Sequence, residues 1–220
     1  MGISVVTGAN RGIGLALVAQ LHLRGATVVA VCRQTSPELL AFGVRVESGI
    51  DVADPQAGPS LATRLAHDDI DLLVHNAGIG RFETLEGTTP SDVMAQFQVN
   101  AMAPLFLTRA LLPRLRSGAK VALVSSRMGS IGDNGSGGYY GYRMSKAALN
   151  AAGVSLAHDL KAAGIAVVIL HPGTVRTGMT GGQGAIEPNT AARGLLQRID
   201  ELAIGTTGRF VHADGTVLPW

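Results

Sequence analysis

Short apolar runs alternate with longer segments of helical period along nearly the whole chain. The runs, rich in β-branched residues, predict strands at Ile3 to Thr7, Thr27 to Cys32, Val44 to Ile50, Asp71 to His75, Lys120 to Ser125, Ile165 to His171 and Arg209 to Val211. This alternation is typical of parallel strands that are joined by crossover helices. The pattern therefore predicts an α/β fold built on a parallel sheet.

The segments between these strands carry signals for helix ends and loops. Helices are predicted after the first strand up to Gly25, from Pro90 onward, from Ala103 to Leu115, and from Gly141 to Ala163 before Gly164. The tract from Gly173 to Pro188 is rich in glycine and has little apolar period, which predicts a mobile loop that can act as a lid. A turn at Ala213 to Thr216 predicts a short hairpin-like tail.

Length and composition limit the class of protein. With 220 residues, 46% of them hydrophobic and 15% charged, the chain has the size and apolar content of one folded domain, residues 1-220. The formal net charge of +2 is too small to indicate binding to nucleic acid or to an anionic membrane, and no apolar run reaches the length of a membrane span. The only cysteine, Cys32, lies in an apolar run, which predicts a buried thiol and a reducing, cytoplasmic setting. The six histidines have no ligand spacing, so no metal site is expected.

A glycine-rich turn follows the first strand and leads directly into a helix. Its sequence is Thr7-Gly8-Ala9-Asn10-Arg11-Gly12-Ile13-Gly14. Gly8 permits a tight exit from the strand, Gly12 lets the backbone approach a pyrophosphate, and Gly14 allows the helix to pack closely on the sheet. The free amides and positive dipole of the helix N-terminus attract the anion. A purely structural connection is the alternative, but the strand before and the helix after favour dinucleotide binding.

The residue at the end of the second strand distinguishes between the two nicotinamide dinucleotides. An acidic residue there binds the ribose 2′-hydroxyl of NAD, whereas a basic residue favours the 2′-phosphate of NADP. The residue here is Arg33, and Arg11 in the turn adds a second cation. Both arginines can instead be solvated surface residues. Their positions predict NADP(H) as the preferred cofactor, with NAD(H) possible.

Tyr142 and Lys146 are four residues apart in a predicted helix, so their side chains share one face. An adjacent ammonium favours the phenolate and lowers the pKa of a phenol from about 10, which makes it a better proton donor and acceptor near neutrality. Tyr and Lys at this spacing are also common on solvated helix faces. The pair therefore gains its meaning from the motifs around it.

Several motifs follow one another along nearly the whole chain: Thr7-Gly8-x-x-x-Gly12-x-Gly14, Asp51-Val52, Asn76-Ala77-Gly78, Asn100, Ser125-Ser126, Tyr142-x-x-x-Lys146, and Pro172-Gly173 with Thr177. In their order and separation they resemble the short-chain dehydrogenase/reductase superfamily. The segment from Ser125 to Asn150, together with the Trp220 ending, is similar to the branch that contains the C-factor and Sniffer-like carbonyl reductases. The resemblance implies a Rossmann-type doubly wound parallel sheet of about seven strands in the order 3-2-1-4-5-6-7.

The resemblance also implies roles in a reaction. Ser126 would hold and polarise a carbonyl oxygen, with Ser125 as the alternative, and Tyr142 would deliver the proton. Lys146 would lower the pKa of Tyr142 and bind the nicotinamide ribose, and Asn100 would stabilise a water chain that returns the proton. Hydride would come from the cofactor.

Contacts with the dinucleotide are implied at positions along most of the chain. They are Gly8, Asn10, Arg11, Gly12, Ile13, Gly14, Arg33, Asp51, Val52, Asn76, Ala77, Gly78, Tyr142, Lys146, Pro172, Gly173, Val175 and Thr177. Asp51 and Val52 would contact the adenine, Asn76 and Gly78 would line the side of the adenine ribose, and the segment 172–177 would clasp the nicotinamide. Each of these residues also has a purely structural alternative: Asp51 can cap a turn, Asn76 can bridge strands, and Thr177 can be a loop hydroxyl.

The expected function is NADPH-dependent reduction of an aldehyde or ketone, or the reverse oxidation of an alcohol. The alternatives are a signalling or dinucleotide-sensing protein that keeps the reductase site, and a pteridine reductase. The expected partner is a small-molecule carbonyl or alcohol substrate. In relatives, helices such as those around 103–115 and 147–160 pair between subunits, so a homodimer or homotetramer is expected.

Overall fold

A sheet of parallel strands runs through the middle of the molecule. The computed structural model describes residues 2–220. Its strands are β1 (Ile3–Thr7), β2 (Val28–Val31), β3 (Arg45–Glu47), β4 (Ile70–His75), β5 (Leu115–Val124), β6 (Ala166–His171) and β7 (Arg209–His212). Their order across the sheet is β3-β2-β1-β4-β5-β6-β7, and every neighbouring pair is parallel. The predicted doubly wound sheet is therefore confirmed, and the strand order reverses between β1 and β4.

Helices cover both faces of this sheet. They are α1 (Gly12–Leu23), α2 (Pro37–Leu40), α3 (Ala57–Arg64), α4 (Pro90–Phe97), α5 (Ala103–Leu111), α6 (Tyr140–Leu160) and α7 (Pro188–Asp200). The buried faces of α3, α5 and α6 share one hydrophobic cluster with the sheet, and those of α1 and α7 share another. The strands are long apolar runs because both of their faces are buried: Val5 belongs to the first cluster and Val6 to the second.

The predicted helix from Ala103 to Leu115 is four residues too long. The α-helix ends at Leu111, a 3-10 turn covers Leu112–Arg114, and Leu115 already begins β5. Pro113 has no amide proton to donate, so it favours the end of the helix. The apolar period misled the prediction because it continues without a break from the helix into the buried start of the strand.

The sequence prediction did not name α2, α3 or α7. In α3, Gly58 and Pro59 both have low helix propensity. The structure gives the reason for Gly58, because a Cβ there would lie 3.0 Å from Ala110 Cβ of α5. The close approach of these two helices therefore takes precedence over local propensity.

The tract from Gly173 to Pro188 folds back on itself. Arg176 N donates to Ile186 O at 2.9 Å, and Ala185 N donates to Thr174 O at 2.8 Å. A short 3-10 turn, Gly178–Thr180, forms its tip. The tract is thus a compact excursion after β6, and its mobility stays a prediction.

The residues after β7 form the predicted hairpin-like tail. Val211 and Val217 form an antiparallel bridge, and Leu218 N donates to Phe210 O at 2.9 Å. The Trp220 ring stacks on Phe210 with ring centroids 5.6 Å apart. Within residues 2–220, no helix is long and apolar enough to cross a membrane.

Candidate active site

The predicted site residues meet at the carboxyl ends of the central strands. The glycine turn follows β1, the Asn76 segment follows β4, the serine pair follows β5, and Pro172 follows β6. This is the edge of a doubly wound sheet at which ligands bind, next to the point where the strand order reverses.

The three motif glycines of the turn are required by its geometry. Gly8 and Gly12 have φ of 65° and 55°, in the left-handed region. A Cβ at Gly8 would lie 2.8 Å from Ala77 Cα, and a Cβ at Gly14 would overlap Gly8 O. The turn therefore brings the start of α1 against the segment after β4 at a distance that only glycine allows.

The N-terminus of α1 suits an anion. Arg11 is the N-cap residue, and its side chain makes no capping hydrogen bond; the first turn of the helix contains no acidic residue. The first amides of a helix lack partners within the helix and carry its positive dipole end. A Cβ at Gly12 would approach only Thr177, at 3.4 Å, so the backbone is open to a ligand on that side. These residues fit the pyrophosphate of a dinucleotide.

A set of hydrogen bonds holds this turn to the segment after β4. Thr7 Oγ1 accepts from Asn76 N and Ala77 N, both at 3.1 Å. The Asn76 side chain donates to Thr7 O at 3.0 Å and to Gly8 O at 3.2 Å. Of the two functions open for Asn76, the geometry thus shows the bridging one, and a contact with the adenine ribose stays a prediction.

The adenosine side of the predicted cofactor groove carries two opposite charges. Arg33 Nη1, after β2, lies 3.8 Å from Asp51 Oδ2, after β3, and both side chains are at least half exposed. Asp51 Oδ1 also accepts from Ala53 N at 3.0 Å, so it does cap a turn. Val52 is half-buried against the core. Asn10 O accepts from Ser36 Oγ at 2.8 Å, which ties the glycine turn to the start of α2.

Tyr142 and Lys146 are both buried in the N-terminal half of α6, so the alternative of a solvated face is wrong. Lys146 Nζ donates to Val124 O at 2.8 Å and lies 5.9 Å from the centroid of the Tyr142 ring. Burial lowers the pKa of Lys146 to about 8. The ammonium therefore loses its proton more readily than an exposed lysine.

The pKa of Tyr142 shifts in the direction opposite to the one expected from its neighbour Lys146. Burial raises the pKa of the phenol, and a hydrogen bond with the Ser126 side chain opposes this rise in part. Desolvation of the phenolate is the larger effect, and the Lys146 ammonium is directed to a main-chain carbonyl. The phenol thus holds its proton at neutral pH.

The two serines after β5 have different surroundings. Ser126 lies beside Tyr142 and accepts a hydrogen bond from Met128 N at 3.1 Å. Ser125 is turned away and donates to Asn150 Oδ1 at 2.6 Å. Of the two candidates, Ser126 is the one whose hydroxyl faces the phenol.

Asn100 lies in a π-helical turn, Gln98–Met102, between α4 and α5. Its Oδ1 accepts from Ile79 N at 2.9 Å, and its Nδ2 donates to Ile79 O at 2.8 Å and to Ser145 Oγ at 3.0 Å. A Cβ at Gly78 would lie 3.2 Å from Asn100 Oδ1 and 3.8 Å from Lys146 Nζ. The π-helical turn thus places the buried Asn100 amide in the same small space as Lys146. Such turns often occur at functional sites.

The segment after β6 closes the opposite side of the site. Gly173 has φ of 86°, and Pro172 and Val175 are buried. Because Thr177 is the group that a Cβ at Gly12 would meet, this segment faces the glycine turn directly. The two predicted cofactor-binding segments are therefore neighbours in space, although more than 150 residues separate them in sequence.

Sequence reasoning missed two residues at the start of α6, Phe82 and Glu83, and the packing of Tyr139 against the first of them. The Phe82 ring packs edge-on against Tyr142 and Tyr139, with centroids 6.0 and 5.2 Å apart. Glu83 binds the start of α6. No spacing rule indicates a contact between segments 56 or more residues apart. The one available signal was an aromatic side chain, Phe82, six residues after Asn76 in the loop that follows β4.

A doubly wound parallel sheet with a phosphate-binding turn, and with Tyr, Lys, Ser and Asn side chains at the ends of its strands, defines a dinucleotide-dependent oxidoreductase. The family model described as short chain dehydrogenase matches residues 3–187. The chain therefore belongs to the short-chain dehydrogenase family.

Two curated relatives support this assignment. The chain is 41% identical to 1-hydroxy-2-glutathionyl-2-methyl-3-butene dehydrogenase of Rhodococcus sp. (strain AD45), covering all of both chains. It is 43% identical to the C-signal protein of Myxococcus xanthus, over 73% of this chain and 99% of that protein.

Two solved structures are also similar. The NADPH-bound carbonyl reductase from chicken fatty liver has a TM-score of 0.89 and 31% identity, over 100% of this chain and 99% of the other. The carbonyl reductase Sniffer of D. melanogaster has a TM-score of 0.89 and 30% identity, over 100% of both chains. Together with the C-signal match, these structures confirm the C-factor and Sniffer-like branch.

Proposed function

We propose that the protein is an NADPH-dependent oxidoreductase that reduces an aldehyde or ketone to an alcohol, or catalyses the reverse reaction. The observation that carries the proposal is the burial of Tyr142 and Lys146 with Ser126 beside a turn that fits a pyrophosphate. Burying these three polar side chains together costs desolvation free energy. Such burial is common where side chains take part in a reaction.

The protein's own groups would act on the carbonyl oxygen. Ser126 and Tyr142 would both donate hydrogen bonds to it, and Tyr142 Oη would give up the proton that completes the alcohol. NADPH, when bound, supplies the hydride. Because burial raises the pKa of Tyr142, the phenol is protonated at neutral pH, which suits the reductive direction.

Lys146 and Asn100 would restore the proton. Lys146 uses one N–H to bind Val124 O, and its other N–H groups are available for ribose hydroxyls and for water. Its lowered pKa of about 8 allows it to exchange a proton near neutrality. Asn100 fixes Ile79 and Ser145, and so holds the segment after β4 and the start of α6 at a constant separation.

The cofactor preference is also a proposal. Arg11 and Arg33 are exposed at the two positions from which a cation can reach a 2′-phosphate. The chicken and Burkholderia multivorans structures that resemble this chain contain NADPH and NADP, respectively. A cytoplasmic location agrees with the buried, reduced Cys32.

The test of the function is the variant Tyr142→Phe. We expect turnover with NADPH and a panel of aldehydes and diketones to fall by roughly 100- to 10,000-fold, because the proton donor is removed. Binding of NADPH, measured by fluorescence titration, should change less than about threefold. Tyr140→Phe, on an exposed face of the same helix, is the control and should keep full activity. Undiminished turnover in Tyr142→Phe would refute the role of the phenol.

Two other functions are separated by the same assay. The similarity to C-signal favours a signalling or dinucleotide-sensing protein as the second candidate. Tight NADPH binding, no turnover of any carbonyl, and a co-purifying partner would support it. Turnover of quinonoid dihydropteridine alone would indicate a pteridine reductase. Alcohols that carry a thioether belong in the panel because the Rhodococcus relative is named as a dehydrogenase of a glutathionyl compound.

A further inference from the structure

Glu83 joins the segment after β4 to the start of α6. Its main-chain oxygen accepts from Tyr139 N at 3.0 Å, and its Oε1 accepts from Gly141 N at 2.8 Å. The buried side chain of Gln96 supports this contact, with Nε2 at 3.4 Å from Glu83 Oε1 and Oε1 accepting from Arg81 N at 2.9 Å. One carboxylate thus connects three elements next to the site.

The carboxylate acts as a cap that the local sequence does not supply. Tyr139 precedes α6 and makes no capping hydrogen bond with its side chain. The first amides of the helix need an acceptor, and a negative charge near them is favourable. A Cβ at Gly141 would lie 2.9 Å from Glu83 Oε1, so the absence of a side chain there lets Glu83 reach the amide.

The contact also holds a strained residue. Tyr139 has φ of 55° and ψ of 40°, and within residues 2–220 it is the only residue other than glycine with positive φ. Such a conformation persists only when the surroundings fix it. The hydrogen bond from Tyr139 N to Glu83 O is one of the contacts that does so.

The result is an exposed apolar surface beside the phenol. Phe82, the neighbour of Glu83, is 50% exposed and packs edge-on against both Tyr139 and Tyr142. From the segment after β6, Met179 is 40% exposed. A Cβ at Gly80 would lie 3.2 Å from the Phe82 ring and 3.4 Å from Met179 Sδ, so the two side chains lie on either side of the same small space. Exposed apolar side chains from two segments around one polar group are typical of a small-molecule site.

We propose that Phe82 determines substrate specificity and that Glu83 is the residue that positions it. Phe82 contacts the substituent on the carbonyl carbon, so the site selects aldehydes and ketones with an aromatic or bulky apolar substituent over small aliphatic ones. Glu83 keeps the ring in place by fixing the segment after β4 to the first turn of α6. This inference rests on the proposed function for the identity of the reacting group, a carbonyl.

The first experiment compares benzaldehyde with propanal as substrates of the NADPH-loaded protein. In Phe82→Ala we expect kcat/KM for benzaldehyde to fall roughly tenfold, mainly through KM, because an aromatic contact and its buried area are lost. For propanal it should change less than about twofold. Leu85→Ala, an exposed apolar residue of the same segment, should leave both values unchanged.

The second experiment tests Glu83. Glu83→Ala should reproduce the selective loss for benzaldehyde and speed hydrogen exchange at the Gly141 amide, whereas Glu83→Gln keeps an acceptor and should restore both to near the wild-type values. In the double variant Phe82→Ala/Glu83→Ala, the ratio of kcat/KM for benzaldehyde to that for propanal should fall no further than in Phe82→Ala, since the two residues act through one contact.

The opposite results would overturn the inference. An equal fall in kcat/KM for both aldehydes in Phe82→Ala, or no fall, would show that Phe82 does not determine specificity. An equal loss for both aldehydes in Glu83→Ala reduces Glu83 to a structural residue. If Glu83→Ala does not fold, Phe82→Ala still decides the specificity role, and Glu83→Asp, whose shorter side chain withdraws the carboxylate from the Gly141 amide, replaces it as the test of positioning. Binding of both aldehydes to the NADPH complex of Tyr142→Phe, followed by quenching of NADPH fluorescence, gives the same comparison without turnover. Selective binding in that variant, with no turnover of either aldehyde by the wild-type protein, would contradict the proposed function alone.

Discussion

At the scale of single residues, we propose that the charges at the adenosine end of the site decide which dinucleotide binds. Arg33 lies 3.8 Å from Asp51, and the pair is too exposed and too long to contribute much to stability. The guanidinium is therefore free to turn towards a phosphate, to which it can bind with two parallel hydrogen bonds. Its contribution should appear in cofactor binding and hardly at all in folding.

Arg33→Asp should weaken NADPH binding roughly 10- to 100-fold and change NADH binding less than about threefold, because only NADPH carries the 2′-phosphate. The measurement is a fluorescence titration with each dinucleotide. Arg193→Asp makes the same change in net charge on an exposed position of α7 and serves as the control. An unchanged ratio of the two affinities in Arg33→Asp would disprove the assignment of the 2′-phosphate.

Two histidines, the buried His75 and the half-buried His171, have lowered pKa values in the folded protein. Thr108 Oγ1 donates to Pro104 O, so the 2.8 Å contact with His75 Nε2 is a bond that His75 donates, and its Nδ1 carries no proton. Burial lowers the pKa of His75 to about 3, and burial together with the nearby His212 and Arg127 lowers that of His171 to about 4. An imidazole in the unfolded chain has a pKa of about 6.5.

Stability should therefore fall as the pH drops below about 6.5. In that range the unfolded chain binds protons at these histidines and the folded protein does not, so the free energy of unfolding decreases by up to roughly 1.4 kcal/mol per pH unit for each. In His75→Asn the slope between pH 6 and pH 4, measured by urea unfolding, should be shallower by on the order of 1 kcal/mol per unit. His67→Asn, at an exposed histidine, is the control. Equal slopes in wild type and His75→Asn would contradict the account.

At the scale of elements, the sequence predicted what local pattern determines. Strands buried on both faces produce apolar runs, and a phosphate-binding turn needs glycines at fixed spacing, so the sheet and the glycine turn could be predicted from the chain. Helix α3 could not be predicted, because it contains Gly58, a residue of low helix propensity. Gly58 allows close contact with a helix about 50 residues away in sequence. The end of α5 was missed for a related reason, since the apolar period runs on into β5.

The elements around the phenol also combine features that the local sequence predicts with features that depend on distant contacts. The four-residue spacing of Tyr142 and Lys146 predicted a shared helix face, which α6 provides. The spacing could not predict that burial would outweigh the neighbouring charge and raise the pKa of the phenol, because burial depends on the whole fold. Neither the π-helical turn at Asn100 nor the left-handed Tyr139 has a local signature, since both are fixed by contacts with distant segments.

At the scale of the whole molecule, one helical layer exposes several large apolar side chains. Helices α5 and α6 pack on the same side of the sheet, and they expose Leu105 and Phe106, and Tyr140 and Met144, respectively. Aromatic residues and methionine are typical of subunit interfaces. We therefore propose that this layer pairs with a second copy of the chain, as a homodimer or within a homotetramer.

The double variant Leu105→Glu/Met144→Glu should convert the assembly into monomers, because two like charges per subunit would be buried at the interface. Sedimentation velocity at micromolar concentration measures the change. The control is Leu23→Glu, a similar exposed position on α1 at the other side of the sheet, and it should leave the assembly intact. A wild-type monomer, or equal dissociation in the control, would rule out this interface.

The residues in and around the glycine turn differ in how freely they can be replaced. Gly8, Gly14 and Asn76 interlock so tightly that a single added methyl group would displace the backbone, and these positions can hardly vary while the fold persists. Arg11 in this turn and Arg33 after β2 are both exposed, and Arg33 makes only a long, exposed ion pair. If the proposed cofactor contacts hold, mutation at these two arginines can exchange one dinucleotide for the other without risk to folding, so coenzyme preference can evolve while the backbone that faces the pyrophosphate stays constant.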